Sequence, residues 1–325
     1  MSPFKPLFIF TALLTSSLGF SQFTDVINSN RPGESQAAFS VGRTVIQAEF
    51  GVTGIREDHF VDNYEAKGFN YDLAVRYGAF FEQLEFMLGA QYSYEDYSEP
   101  GVYIKDQGFK KINLGAKFLV YDPYKNYEEK KNLYSWKANH KFSWRQFIPA
   151  VGVYAGVNVD LATTKFLRPG YPKPQNTSLK GMILTQNQFG KFVLVGNIIM
   201  DQFPKYPSID YVVTLTRGFN QYWSGFIEIQ GFNNDYYKDN IFRGGAAYLI
   251  AQNIQVDAAL GTNVKNTPTL QNATVGLSWR FDENYNDVYL RIPKEKKSKE
   301  DKKKDKKKEK DKKRLDAIEN GEKTK

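Results

Sequence analysis

The sequence predicts an all-β, antiparallel, up-and-down transmembrane β-barrel of about twelve strands. From Gly42 to Phe281 one unit recurs about a dozen times: eight to twelve residues alternating apolar and polar, then a short polar break. That period of two marks strands with two unlike faces, and helical spacing is nowhere sustained over a comparable length. The second observation is at the start of the chain. Lys5 forms a charged n-region, Pro6 to Leu14 a short apolar h-region, and Gly19-Phe20-Ser21 a cleavage site that leaves Gln22 as the expected mature start. Third, no other stretch approaches the roughly 18 uncharged apolar residues a membrane helix needs, so entry into a membrane must be by strands closed into a barrel.

The strands are read in order. Val45 to Gly54 sets Ile46, Ala48, Phe50 and Val52 on one face against Gln47, Glu49, Gly51 and Thr53. Arg56 to Asn63 reads as a polar loop. The return strand sets Phe69, Tyr71, Leu73, Val75 and Tyr77 against Asn70, Asp72, Ala74, Arg76 and Gly78; after a tight connection at Ala79 to Glu82, Leu84, Phe86, Leu88 and Ala90 oppose Glu85, Met87, Gly89 and Gln91. The pattern continues with Ile112, Leu114, Ala116 and Phe118 against Lys111, Asn113, Gly115 and Lys117, then with Val151, Val153, Ala155 and Val157. Further strands are expected from near Leu179, Phe192, Asp210, Tyr222, Ile241, Ile254 and Ala273. Connections should alternate between short ones near Ala79, Gln188, Gly218 and Ala251 and longer polar ones near Arg56, Glu95, Thr163, Gln202, Phe232 and Lys265, as short periplasmic turns and external loops do. An even strand count returns both termini to the periplasm. The long segment Asp122 to Trp144, rich in Lys, Glu and Tyr, breaks the rhythm. Either a short periplasmic helix or extensions of the flanking strands would account for it.

A soluble sandwich shows the same alternation with its apolar face inward. The export signal, the loop alternation and a last strand, Ala273 to Phe281, ending on an aromatic residue favour the membrane. So do Trp144, Trp223 and Trp279, all expected at periplasmic strand ends as an interfacial girdle. A mean hydropathy of −0.52 is compatible with a barrel, which exposes only alternate residues to lipid, and 21 Tyr with 25 Phe suit strands and membrane rims. The net charge of +8 is local. Lys294 to Lys325 holds 16 basic and 9 acidic residues, whereas Met1 to Pro293 holds 28 and 27. The organisation expected is a signal peptide 1–21, a periplasmic or lumenal segment 22–41, a barrel 42–281, and a Lys-rich periplasmic tail 282–325 whose composition cannot bury a core.

Inward-facing charges are expected at Glu49, Asp72, Arg76, Glu85, Lys117, Glu228, Arg243, Asp257 and Arg280. Mixed signs can pair across the lumen and hold it shut, or line a polar path and tune its selectivity. Catalysis has little support: His59 and His140 are expected on opposite sides of the membrane, and no nucleophile–base pair is visible. Without cysteine there is no disulfide, lipid anchor or soft metal site, and neither metal nor other cofactor is implied. Loop carboxylates Glu95, Asp96, Glu99, Asp235 and Asp239 could bind calcium or bridge lipopolysaccharide, but solvated carboxylates are the default.

The Asn30-Arg31-Pro32-Gly33 turn with Glu34-Ser35, Gly42 leading to Ile46-Gln47-Ala48-Glu49-Phe50-Gly51, Val75-Arg76-Tyr77-Gly78 leading to Leu84-Glu85, and Asn113-Leu114-Gly115-Ala116-Lys117 resemble the MetA-pathway phenol-degradation family of outer-membrane proteins. Asn30 stands where that family often has Asp. The resemblance implies a transporter-type protein of the Gram-negative outer membrane that passes small, often hydrophobic or aromatic, molecules. Two functions follow as expectations: a cofactor-free channel working by passive diffusion, or a non-conducting barrel subunit of an outer-membrane complex that docks through its loops or basic tail. Partners expected are outer-membrane lipid, the barrel-assembly machinery during insertion, and periplasmic or cell-wall material at the tail, with no nucleic acid.

Overall fold

A computed structural model describes residues 27–123, 125, 144–161, 176–235 and 237–282. Twelve antiparallel strands close on themselves: β1 Val45–His59, β2 Tyr64–Gly78, β3 Leu84–Glu99, β4 Val102–Tyr121, β5 Ala150–Asp160, β6 Thr177–Phe189, β7 Phe192–Phe203, β8 Ser208–Gly218, β9 Trp223–Asn233, β10 Lys238–Ala251, β11 Ile254–Asn263 and β12 Thr269–Asp282. Each strand pairs with its neighbour in sequence, and β1 pairs with β12 from Val45↔Asp282 to Asp58↔Thr269, which leaves no free edge along that seam. The end where β1 starts and β12 finishes is here called the base, the other the rim. The signal sequence, His140, most of the segment from 122 to 144 and the Lys-rich tail lie outside the described residues.

The outer face is apolar on every strand. Phe50, Leu73, Leu88, Leu114, Val153, Ile183, Ile198, Val213, Ile227, Phe242, Leu260 and Val275, one from each strand in order, are all exposed. Side chains pointing the other way are mostly polar and buried, among them Gln47, Arg76, Glu85, Lys117 and Asn158. Apolar outside and polar inside is the inverse of a soluble barrel, and only lipid makes that arrangement favourable. Around the base an aromatic belt faces outward: Trp223 packs on Tyr248 at 4.7 Å between ring centroids, Trp279 on Phe281 at 6.0 Å, and Phe147 on Phe189 at 5.3 Å. Trp144 opens a 3₁₀ turn, Trp144–Phe147, just before β5, at the same end.

Two expectations about connections are corrected. Arg56 to Asn63 is not a loop: β1 runs on to His59, with Arg56, Glu57 and Asp58 paired to Lys67, Ala66 and Glu65 of β2. Likewise Glu95 is strand, and β3 joins β4 through Pro100-Gly101 alone, a two-residue turn for which Gly101 takes φ +88°. With 15, 15, 16 and 20 residues, β1 to β4 exceed the roughly 9–11 a membrane strand needs, so their rim ends stand clear of the apolar belt. Polar residues on both faces read as loop because, above the lipid, neither face need be apolar.

Candidate functional site: a plugged lumen

Residues 27–44 do not lie beside the barrel; they fill its middle. The segment enters at the base, where the Ile27 N–H donates to Gln252 O (3.3 Å), climbs to a turn at Asn30–Gly33, and descends to β1. Having no strand neighbour, its backbone groups must find partners on the wall. On the β9 side the Glu228 carboxylate accepts the Glu34 N–H (3.1 Å) and the Ser35 N–H (3.3 Å). Beside it Asn197 accepts the Gln36 N–H (2.6 Å) and donates to Gln36 O (2.9 Å). On the β3–β4 side Glu85 accepts the Val41 N–H (2.9 Å), and Lys117 Nζ donates to Ala37 O (3.1 Å) and Phe39 O (2.9 Å).

Arg31 fixes the top of the plug. Gly51 and Gly276 are cross-strand partners on β1 and β12, and a Cβ on either would fall on the Arg31 guanidinium. The wall is therefore hollowed where the guanidinium lies. It donates there to Thr274 Oγ1 (3.0 Å), Val275 O (3.3 Å) and Asp257 (3.4 Å). Opposite, Ala38 joins an apolar cluster of Met87, Leu119, Ala150, Tyr154, Met182, Leu184, Ile199 and Val212, with Phe39 packed on it. The plug is thus bonded to the wall on both sides, and on the β3–β8 side an apolar cluster packs against it between those bonds.

All nine charges expected to face inward do so. Arg76 is bound by Glu85 (2.6 Å) and Glu49 (3.2 Å) and donates to Asn28 O (2.8 Å), while Lys117 meets Glu85 at 3.2 Å. These four form a buried group of two acids and two bases under the plug. Arg243 pairs with Glu228 (3.1 Å), Asp257 with Arg31, and Arg280 with Asp282 (3.3 Å) at the base. Asp72 accepts from the Gln91 amide (2.9 Å) and makes no ion pair among the described residues. Sequence reasoning missed Lys110, Lys180, Asp201 and Asp210, and left Lys111, though set on the polar face, out of the nine. Four of these lie at bulges: the β3–β4 register shifts at Gln91/Tyr92, bringing both Lys110 to Glu95 (3.3 Å) and Lys111 to Asp201 (3.2 Å), and the β6–β7 register shifts at Lys180, opposite Asp201-Gln202, both of which are buried. Strict alternation cannot anticipate consecutive inward residues. Of the loop carboxylates, Glu95 is tied to Lys110 and Asp239 accepts from Asn263 (2.6 Å) and Tyr237 (2.6 Å). Among the described residues no group of three His, Cys, Asp or Glu could hold a metal ion.

Among the described residues, three cavities lie in the lumen around the plug. One of about 320 Å³ lies on the base side of the turn, against Gln186, Thr214, Ser224 and Gln255. On the rim side one of about 370 Å³ touches Thr53, Asn70, Gln230 and Asn272, and another of about 260 Å³ touches Asn113 and Lys180. Arg31, Pro32 and Gly33 line both the base-side cavity and the 370 Å³ rim-side cavity.

The family model described as "Putative MetA-pathway of phenol degradation" matches residues 29–281, the plug and all twelve strands together. The chain belongs to this family. No curated protein matches it. Among solved structures, an outer membrane channel from Pseudomonas putida F1 is similar at 13% identity, covering 78% of this chain and 100% of the other, with a TM-score of 0.47. The CymD monoaromatic hydrocarbon channel is similar at 10% identity (75% and 90% covered, TM-score 0.38), and the translocator domain of autotransporter NalP from Neisseria meningitidis at 10% (78% and 90%, 0.43). At these values the likenesses carry no inference about what this barrel passes.

Proposed function

We propose that this member of the family is an outer-membrane channel that admits small solutes by passive diffusion, without cofactor or catalysis, through a lumen closed by its own N-terminal segment. The observation that carries the reading is the partition of the lumen: open space lies on both sides of one turn, and Arg31-Pro32-Gly33 is the wall between. Moving three residues joins the two spaces, whereas a barrel meant only as a scaffold needs no such space. In this reading the base, with its Trp223 and Trp279 belt, faces the periplasm and both termini lie there. The family's description ties it to phenol degradation, which makes small aromatic solutes the first class to test.

The test is conductance of the purified protein in a planar bilayer. Deleting Thr24 to Ser40 should raise it. Ser29 Oγ and Ser278 Oγ are 2.7 Å apart, and the chain has no cysteine, so S29C/S278C offers an otherwise disulfide-free lock between plug and wall. The oxidised lock should abolish opening and a reductant should restore it. If wild type, deletion and reduced lock are all silent while folded, the channel reading fails and the non-conducting subunit replaces it.

A further inference from the structure

Two charges in the rim-side lumen lack partners. Lys180 on β6 makes no hydrogen bond or ion pair among the described residues, and the Glu34 carboxylate, one residue beyond the Arg31-Pro32-Gly33 turn, makes no ion pair; both line the 260 Å³ cavity. Their neighbours are committed elsewhere. Lys111 is held by Asp201, Arg31 by Asp257, Glu49 by Arg76, and Asp72 by the Gln91 amide. Lys180 faces Gly156 across the β5–β6 pair, where no side chain stands in front of it. An amine without an ion pair beside lumenal space attracts an anion; on the wall Asp201 acts on it, and with the plug docked the plug's own Glu34 lines the same cavity.

The chemistry beside this amine bounds the ligand. The adjoining 370 Å³ cavity shares Arg31, Glu34, Asp72, Gln91 and Lys111 and is walled toward the rim by Ile55, Phe232, Ile241 and Leu270. Together the two are of the size single-ligand pockets have, with the usual division into an apolar wall and a few polar groups.

Resting on the channel reading, we propose that this vestibule binds a small carboxylate with an apolar body, its carboxylate at Lys180, within the field of the Asp201-bound Lys111, and its body against the rim-side wall. The bound anion takes the place Glu34 holds in the field of these lysines and repels the Glu34 carboxylate. Because Glu34 is bonded through its backbone to the turn that closes the lumen, the anion binds the released plug more tightly than the docked one. Such a difference in affinity is what a ligand needs to shift a gate.

Equilibrium dialysis of the full-length, detergent-folded protein tests this with benzoate as probe and benzyl alcohol and benzylamine as its neutral and cationic counterparts. Benzoate should bind in preference to both, K180Q should weaken it at least about tenfold, K180R should retain it, and E34Q should tighten it while raising open probability without added solute. Equal retention of benzoate and benzyl alcohol, or benzoate binding indifferent to K180Q in protein with wild-type heat-modifiability, would overturn the proposal. Preference for benzylamine would overturn it in favour of a cation site at Glu34 and Asp72. Conductance without benzoate binding sinks the vestibule alone; benzoate binding with every variant silent, the plug deletion included, sinks the channel reading and leaves the binding site.

Discussion

Glu228→Gln separates a plug held by specific bonds from one merely packed in place. The Glu228 side chain is fully buried. Both oxygens accept from the Glu34 N–H (3.1 Å each); one also accepts from Arg243, the other from the Ser35 N–H and the Thr214 hydroxyl (2.7 Å). Gln keeps the volume but loses the charge and turns an NH₂ toward one of these donor sets. Charge-assisted bonds contribute about 1.5–3 kcal/mol and neutral ones about 0.5–1.5, so the two plug bonds lose about 2 kcal/mol, and a buried donor left facing the amide adds about 1–2 more. A loss of about 3–4 kcal/mol in docking is roughly a 140-fold to 700-fold shift toward the open state, read as open probability in a planar bilayer. Arg243 also loses its partner, so barrel stability will fall as well. The measurement is therefore repeated in the Thr24–Ser40 deletion, where the effect on conductance should vanish, as a double-mutant cycle requires. An unchanged open probability, or an equal increase with and without the plug, would refute the reasoning.

On the lipid face, Leu114→Arg or Leu260→Arg should cost about 2–4 kcal/mol near the bilayer midplane, measured as loss of heat-modifiable folded protein, while Gly89→Ser, facing open lumen, should be tolerated; the reverse order would mean the faces are misassigned. Gly51→Val and Gly276→Val each place a side chain where the Arg31 guanidinium lies, so both should open the channel with the barrel folded, and a closed channel in both would remove Arg31 as the anchor. For the Lys-rich tail we propose electrostatic docking to periplasmic or cell-wall partners: truncation at Pro293 should leave insertion intact and abolish pull-downs that wild type loses above about 0.15 M salt, where screening shortens to roughly 8 Å. Pull-downs that survive salt or truncation would reduce the tail to a solubilising extension.

Period-two alternation was enough to find all twelve strands and to assign faces at Glu49, Asp72, Arg76, Glu85, Lys117, Glu228, Arg243, Asp257 and Arg280, though it cut β3 and β4 short at the rim by eight and nine residues, because one face must meet lipid only along the membrane-crossing length. It failed where that constraint lapses. Above the lipid, Arg56 to His59 is polar on both faces yet fully paired, and at the bulges two successive residues turn inward. The plug was legible only as an alternative. Asn30-Arg31-Pro32-Gly33 announces a turn, but its niche consists of Gly51 and Gly276, residues with no side chain, drawn together from opposite ends of the chain by barrel closure.

That niche changes what the lumenal charges do. Read along the sequence, interspersed acids and bases suggest a lined path. In the folded barrel most are tied to one another or to the plug, and a charge bound in closing the lumen cannot at the same time set the field along it. Release of the plug carries Arg31 away from Asp257 and the Glu34 and Ser35 amides away from Glu228, leaving carboxylates less compensated on the β9–β12 side, while Lys111 and Lys180 stay on the β4–β6 side. Opening therefore creates a field across the lumen rather than along it. A solute that is anionic at one end and apolar at the other can enter such a field in only one favourable orientation, with its carboxylate toward Lys180.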